Sequence, residues 1–172
     1  MDIVIEKLEE KDFENLYTFE VENRPFFEKF VPSRGDDYYK PEVFKVKNKH
    51  LLDEQDQGLS LFYLIKDEHH SIIGRINVVD IHYSNKNRTG SLGYRLAQAC
   101  TGKGIAARAL HLLLQTIVDS DIKEIHAKTT NNNTASQKVL EKNGFEHIET
   151  SDHEFEMNGQ LLKFMNYKWI KK

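Results

Sequence analysis

Thr101-Gly102-Lys103-Gly104-Ile105-Ala106 is the stretch that decides how this chain is read. Two glycines flank a lysine and run directly into a helix whose apolar positions begin at Ile105. Glycine opens backbone conformations closed to other residues and lets a ligand approach the main chain. The first amides of a helix have no partner within it, and they sit at the positive end of its dipole. A loop of this kind can hold a phosphate or pyrophosphate on backbone donors alone. An ordinary strand-to-helix turn explains the same six residues equally well when they are taken by themselves.

Two better-known phosphate loops compete for the stretch. A Walker loop needs an earlier glycine where Ala97 stands, and Ser or Thr after Lys103, where Gly104 stands; no hydroxyl is offered to Mg²⁺. The run Gly102-x-Gly104-x-x-Ala107 fits the relaxed dinucleotide fingerprint, and Glu124 lies near the distance expected of a ribose-binding acid. That fingerprint requires strand and helix units alternating on both sides, which the chain does not supply. A nucleotide-dependent reductase therefore ranks low.

Working outward, Ile3 to Lys7 alternates as a first strand, and Lys11 to Glu22 carries a broad apolar helical face. Asn23-Arg24-Pro25 is expected to break that helix, with Phe26, Phe27, Phe30 and Val31 in a short aromatic turn. Pro32 to Lys40 reads as a loop, and Pro41 opens a second helix to about Glu54. Strands follow at Ser60–Lys66, Ser71–Tyr83 and Gly90–Leu96. In the long one, Ile73, Arg75, Asn77, Val79 and Ile81 alternate against Ile72, Ile76 and Val78.

After the glycine loop comes a helix from Ile105 to Asp119, striped by Ala106, Ala109, Leu110, Leu113 and Ile117. A strand at Glu124–Thr129 and a short helix to Asn143, capped by Asn133 and ended by Gly144, complete the crossover. Phe145–Glu156 and Leu161–Ile170 read as a hairpin turned by Asn158-Gly159. The expectation is one domain over residues 1–172, of the α+β class, with a mixed sheet and one crossover.

Bulk properties narrow the function. Hydrophobic residues make up 39% and charged residues 30%, the mark of a soluble globular chain with no apolar run that could span a bilayer. The N-terminus lacks the layout of a signal peptide, so a cytoplasmic location is the default expectation. The single cysteine, Cys100, excludes an internal disulfide and a cysteine-based zinc cluster, and is read as a small buried filler. A net charge of −3 argues against nucleic acid as the main partner and mildly favours a cationic substrate.

The order of elements, with the glycine loop in the one crossover, resembles the GNAT (Gcn5-related) N-acetyltransferases over most of the chain. Two motifs carry the resemblance: Gly93-Tyr94-Arg95-Leu96 with Gly102-Lys103-Gly104-Ile105-Ala106, and Asn133-Thr134-Ala135-Ser136 with Val139-Leu140-Glu141-Lys142-Asn143-Gly144-Phe145. The second is most similar to the ribosomal-protein-alanine and ribosomal-protein-serine branch. The tail, His153-Glu154-Phe155 with Asn158-Gly159, is also similar to spermidine acetyltransferases. The resemblance implies a mostly antiparallel seven-stranded sheet flanked by helices, and acetyl-CoA as co-substrate with no metal.

On the same resemblance, Thr101, Gly102, Lys103, Gly104, Ile105 and Ala106 bind the pyrophosphate. Leu96 and Ala97 hold the pantetheine arm like an added strand, and Asn133 and Ser136 meet it from the other side. The family usually places Gln or Arg where Thr101 stands.

Acetyl transfer needs a neutral amine, a stabilised oxyanion and a proton for the leaving thiolate. Many family members take that proton from a tyrosine at the position of Leu140, which cannot supply it; the ribosomal-protein branch implies Ser136 instead, whose other reading is a helix-capping residue. The family's glutamate positions fall on Ser91 and Phe155 here. Glu154 and Glu156, flanking Phe155, are therefore base candidates, alongside a reading as solvated side chains. Asp80, His82, His153 and a water chain are further candidates. Phe26, Phe27, Phe30, Tyr38 and Tyr39 are candidate linings of the acceptor pocket or core residues, and Asp36-Asp37 either attracts a cationic amine or is a solvated turn.

The leading expectation is transfer to a primary amine, a protein N-terminus first and a polyamine or other small amine second. A catalytically silent acyl-CoA-binding module is the alternative of a different class. The partners expected are acetyl-CoA and the amine, with a homodimer allowed and neither nucleic acid nor membrane involved.

Overall fold

The computed structural model describes all residues, Met1–Lys172. Its main sheet has seven strands in the order β1-β2-β3-β4-β5-β9-β6. These are β1 (Val4–Lys7), β2 (Leu61–Lys66), β3 (Ile72–Ser84), β4 (Asn87–Leu96), β5 (Ile122–Thr130), β6 (Glu146–Thr150) and β9 (Phe164–Ile170). Every neighbouring pair is antiparallel except β4 and β5, which run parallel across the crossover. The mostly antiparallel, mixed seven-stranded sheet expected from the sequence is therefore what the chain forms.

Helices cover both faces. On one lie α3 (Ile105–Ile117) and α4 (Thr134–Lys142). Ile105, Ala109, Leu110, Leu113 and Ile117 of α3 pack with Ile65, Ile76, Val78, Ile122 and Ile125 of the sheet. On the other lie α1 (Phe13–Phe27) and α2 (Pro41–Asp56), whose Phe13, Leu16, Phe19, Phe27 and Phe44 pack on Phe62 and Leu64.

Three expectations need correction. First, α1 does not stop before Pro25 but runs through it to Phe27. An internal proline costs about 3 kcal/mol. Phe27, buried against Phe19 at 5.7 Å, and the Arg24–Glu28 pair of the last turn offset it.

Second, the alternation along β3 breaks at Asp80. Its φ of 53° and the register shift between Val79 and His82 mark a bulge. The extra residue moves Ile81 onto the face of Ile76 and Val78, into the core below α3.

Third, the final hairpin is split. β6 pairs with β9, which also pairs with β5 and so lies between them. The tip is a separate two-stranded ribbon, β7 (Phe155–Met157) and β8 (Gln160–Leu162). Asn158 and Gly159 both have positive φ, as the Asn-Gly turn requires.

Candidate active site

The glycine loop adopts the geometry its sequence asks for. Gly102 and Gly104 have φ of 75° and 76°, and Gly104 is the left-handed residue that starts α3. None of the amides from Gly102 to Ala107 donates to a group within the chain. The Thr101 hydroxyl is bound to the carbonyl of Gln98 at 2.8 Å, so Thr101 contributes no side-chain donor. Ile105 turns its side chain into the core and leaves only its amide at the loop. Cys100 is buried beside it as a filler.

The two parallel strands part in front of this loop. Their last rung joins Ser91 to His126; β4 continues to Leu96 and β5 to Thr130 without pairing. The amide of Ala97 donates to Ile73 on β3 at 2.8 Å, and its carbonyl accepts from Cys100 at 2.9 Å. The amide of Ala97 is therefore engaged within the chain, and its carbonyl already accepts one hydrogen bond. Strand alternation instead turns the backbone groups of Tyr94 and Leu96 into the gap.

Across the gap stands the start of α4. Asn133 caps it by accepting from the Ser136 amide at 3.1 Å. The other end closes on Gly144, with Phe145 donating to Leu140 and Gly144 to Glu141. Asn143 ties α4 to the first turn of α3, its amide donating to Ala107 at 3.1 Å. This fixes Ser136 relative to the glycine loop.

The Ser136 hydroxyl accepts a hydrogen bond from the Tyr94 hydroxyl at 3.1 Å, a bridge across the parted strands. Burial raises the pKa of Tyr94, against the Ser136 hydrogen bond, so the phenol stays protonated. Sequence reasoning gave Tyr94 no chemical role. The available signal was its place beside Gly93 near the end of the strand that feeds the glycine loop.

A cavity of about 410 Å³ opens between the end of α1, the end of β5 and the β7–β8 ribbon. Pro25, Lys29 and Phe30 form one wall, Thr130 and Asn132 another, and Met157 the third. The ribbon is held against α1 by Asn158, which donates to the carbonyl of Lys29 at 2.9 Å.

A family model described as Acetyltransferase (GNAT) domain matches residues 2–146. The chain belongs to the GNAT acetyltransferase family. Its sequence is 29% identical to the probable N-acetyltransferase YjcK of Bacillus subtilis (strain 168), over 95% of this chain and 94% of that one. The ribosomal-protein-S5-alanine acetyltransferase of Vibrio fischeri has the same fold, with a TM-score of 0.90 and 22% identity, over all of this chain and 94% of that one. RimL, a ribosomal L7/L12 alpha-N-protein acetyltransferase solved with coenzyme A, matches with a TM-score of 0.86 and 20% identity, over 98% of this chain and 94% of that one.

In this GNAT acetyltransferase the expected base candidates are not brought to the bridge. Glu156 sits opposite exposed Leu161 on the solvent side of the ribbon, because Phe155 and Met157, one residue either side, turn inward. Phe155 stacks on Phe164 at 4.3 Å, which fixes the register of the ribbon. Glu154 and His153 are exposed before the ribbon begins. Asp80 and His82 lie at the bulge, beyond the last β4–β5 rung, on the far side from Tyr94. Leu140 is core, as its apolar side chain implies.

The one carboxylate on the cavity wall, Glu28, is held below its ordinary pKa by the Ser33 hydroxyl and by Arg24, against burial. Asp36 and Asp37 are exposed and are paired with Arg24 at 2.7 Å and Lys40 at 2.8 Å.

Proposed function

We propose that this enzyme transfers an acetyl group from acetyl-CoA to the α-amine at a protein N-terminus. The observation that carries the reading is the parting of β4 and β5 in front of unpartnered helix amides. The free amides of Gly102 to Ala106 receive the pyrophosphate, with Lys103 adding charge beside it. The pantetheine arm runs into the gap along Leu96 and Tyr94, opposite Asn133 and Ser136. The Tyr94 and Leu96 amides face the place where the thioester oxygen gathers charge.

The neutral amine enters from the cavity and attacks the thioester carbon. The C–N bond forms, the C–S bond breaks, and the Ser136 hydroxyl gives its proton to the departing sulfur. The Tyr94 hydroxyl, already donating to Ser136 at 3.1 Å, replaces that proton. The amine's own proton leaves through water, and a proton taken back from water restores the Tyr94 hydroxyl, so that the net products are the amide and free thiol.

That last step selects the acceptor. No strongly basic carboxylate faces the bridge, so the amine must be neutral on its own account. At neutral pH roughly one α-amine in ten is neutral, against about one lysine-type amine in a few thousand. The activities of the V. fischeri enzyme and of RimL, both on ribosomal proteins, support the same choice.

A panel of N-terminal peptides, spermidine and other small amines, assayed for thiol release from acetyl-CoA, tests it. Turnover of the peptides above the small amines is expected. Turnover of spermidine alone overturns the N-terminal reading, and tight acetyl-CoA binding with no turnover identifies a silent acyl-CoA-binding module.

A further inference from the structure

On the α1 face of the sheet, next to the parted strands, three arginines converge on one carboxylate. Glu20 is fully buried; its Oε1 accepts from Arg75 at 2.8 Å, and its Oε2 from Arg95 at 3.2 Å with Arg34 at 3.4 Å. Two positive charges are left over. The neighbouring acids cancel only one of them: Asp37 is paired with Lys40, whereas Asp36 and Glu28 share the single charge of Arg24, so one positive charge remains. Burial, then Arg34 and Arg75, hold the pKa of Arg95 below its ordinary value against the pull of Glu20.

Two of these guanidiniums are within reach of solvent. The side chain of Arg34 is 32% exposed and that of Arg95 19%. Arg34 lies over the Tyr38 ring at 4.8 Å and Arg95 over the Phe27 ring at 4.7 Å, which keeps both from swinging freely. Arg34 otherwise bonds only the Tyr38 hydroxyl, so each retains donors with no acceptor in the chain.

The floor beside them is open. Arg75 pairs across the strands with Arg95, and Asn77 with Gly93, which puts all four on one face. A methyl group added to Gly93 would meet nothing within 4 Å. Arg75 Nε, shielded from solvent, is a donor with no acceptor. Neutralising Glu20 needs one arginine, and two arginines directly opposite on neighbouring strands repel. A second anion would settle the surplus.

We propose that this basic hollow reads a carboxylate on the acceptor, close to the amine that is acetylated. The proposal rests on the N-acetyltransferase reading above and adds the acceptor's charge. The carboxylate comes from an acidic side chain next to a protein N-terminus or from the α-carboxylate of a small amino acid. The chain's overall charge of −3 points toward a cationic substrate, but the field at this face has the opposite sign.

The test compares kcat/KM for peptides beginning Ala-Glu, Ala-Gln and Ala-Lys, and for free alanine and alaninamide, on the wild-type enzyme and on Arg34→Gln and Arg95→Gln. Thermal melts report whether each variant is folded. An acidic peptide is expected to exceed its glutamine counterpart by about tenfold or more, the worth of one charge-assisted contact. The preference should shrink with added salt and collapse toward unity in folded Arg34→Gln. Preference for free alanine over alaninamide with no peptide turnover keeps the carboxylate site and removes the N-terminal reading. Equal rates for acidic and neutral peptides, or an unchanged ratio in both folded variants, overturn the proposal. Absence of turnover with every amine overturns it together with the reading it rests on.

Discussion

Replacing Glu20 by glutamine tests the structural side of the arginine cluster. Glutamine has the same shape but removes the only negative charge among Arg34, Arg75 and Arg95, and sets an amide N–H₂ against a guanidinium. Arg75 is buried and cannot move out to water. Leaving a buried charge without its partner costs about 3–5 kcal/mol. For a chain of this size each kcal/mol lowers Tm by about 2–4 °C, so a fall on the order of 10 °C is expected.

The control is Asp36→Asn, which breaks a pair whose carboxylate is 93% exposed and should cost about 0–1 kcal/mol. Burial raises the pKa of Glu20, but the three guanidiniums outweigh it and hold the carboxyl below its ordinary value. Its stabilisation is therefore complete above the unfolded carboxyl's range near ~4.3 and is lost as the pH falls through the folded value. The gap in Tm between wild type and Glu20→Gln should be constant from neutral pH down to that range and close below it. Circular-dichroism melts across pH measure both. A shift of less than about 2 °C at neutral pH would refute the reasoning, since the cluster would then be hydrated rather than buried.

Ser136→Ala should lower kcat by about a hundredfold with KM for acetyl-CoA little changed. Steady-state kinetics check this, and an unchanged kcat removes Ser136 as the acid. For a peptide acceptor, kcat/KM should rise about tenfold per pH unit below ~8 and level off above it, following the free amine; a rate profile flat from pH 6 to 9 would contradict it. The Lys171 ammonium donates to the carbonyls of Val118 at 3.0 Å and Ser120 at 2.5 Å, beyond the end of α3. Lys171→Met should cost about 1 kcal/mol, a Tm fall of about 3 °C without loss of activity.

The parts of this molecule written in local chemistry could be read from the sequence. Gly102 and Gly104 announced the loop because no other residue takes those angles cheaply, and Asn133 and Gly144 marked the two ends of α4 for similar reasons. Asn158-Gly159 fixed its turn. What escaped notice depends on packing or on long-range pairing. Pro25 breaks helices in isolation, and only Phe27 buried against Phe19 keeps α1 going. The insertion of β9 between β5 and β6 cannot be inferred from a turn signal, which is silent about the third strand. The bulge at Asp80 displaced Ile81 with no glycine to give warning.

The site divides along the same line. Ser136 sits in a motif, whereas its partner Tyr94 is 42 residues earlier and meets it only through the fold. Glu20, Arg34, Arg75 and Arg95 are spread over most of the first hundred residues, and each alone reads as an ordinary surface charge. Glu154 and Glu156 occupy plausible places in sequence, but the register of the ribbon turns Glu156 to solvent and Glu154 lies exposed before the ribbon begins.

Isothermal titration of the enzyme with coenzyme A and, separately, with pantetheine, which lacks the pyrophosphate, bears most directly on the loop at Gly102–Ala106. Several charge-assisted bonds to main-chain amides should separate the two dissociation constants by about a hundredfold or more in favour of coenzyme A. Equal affinity for both ligands, or no heat with coenzyme A, would contradict the claim that these free amides hold the cofactor.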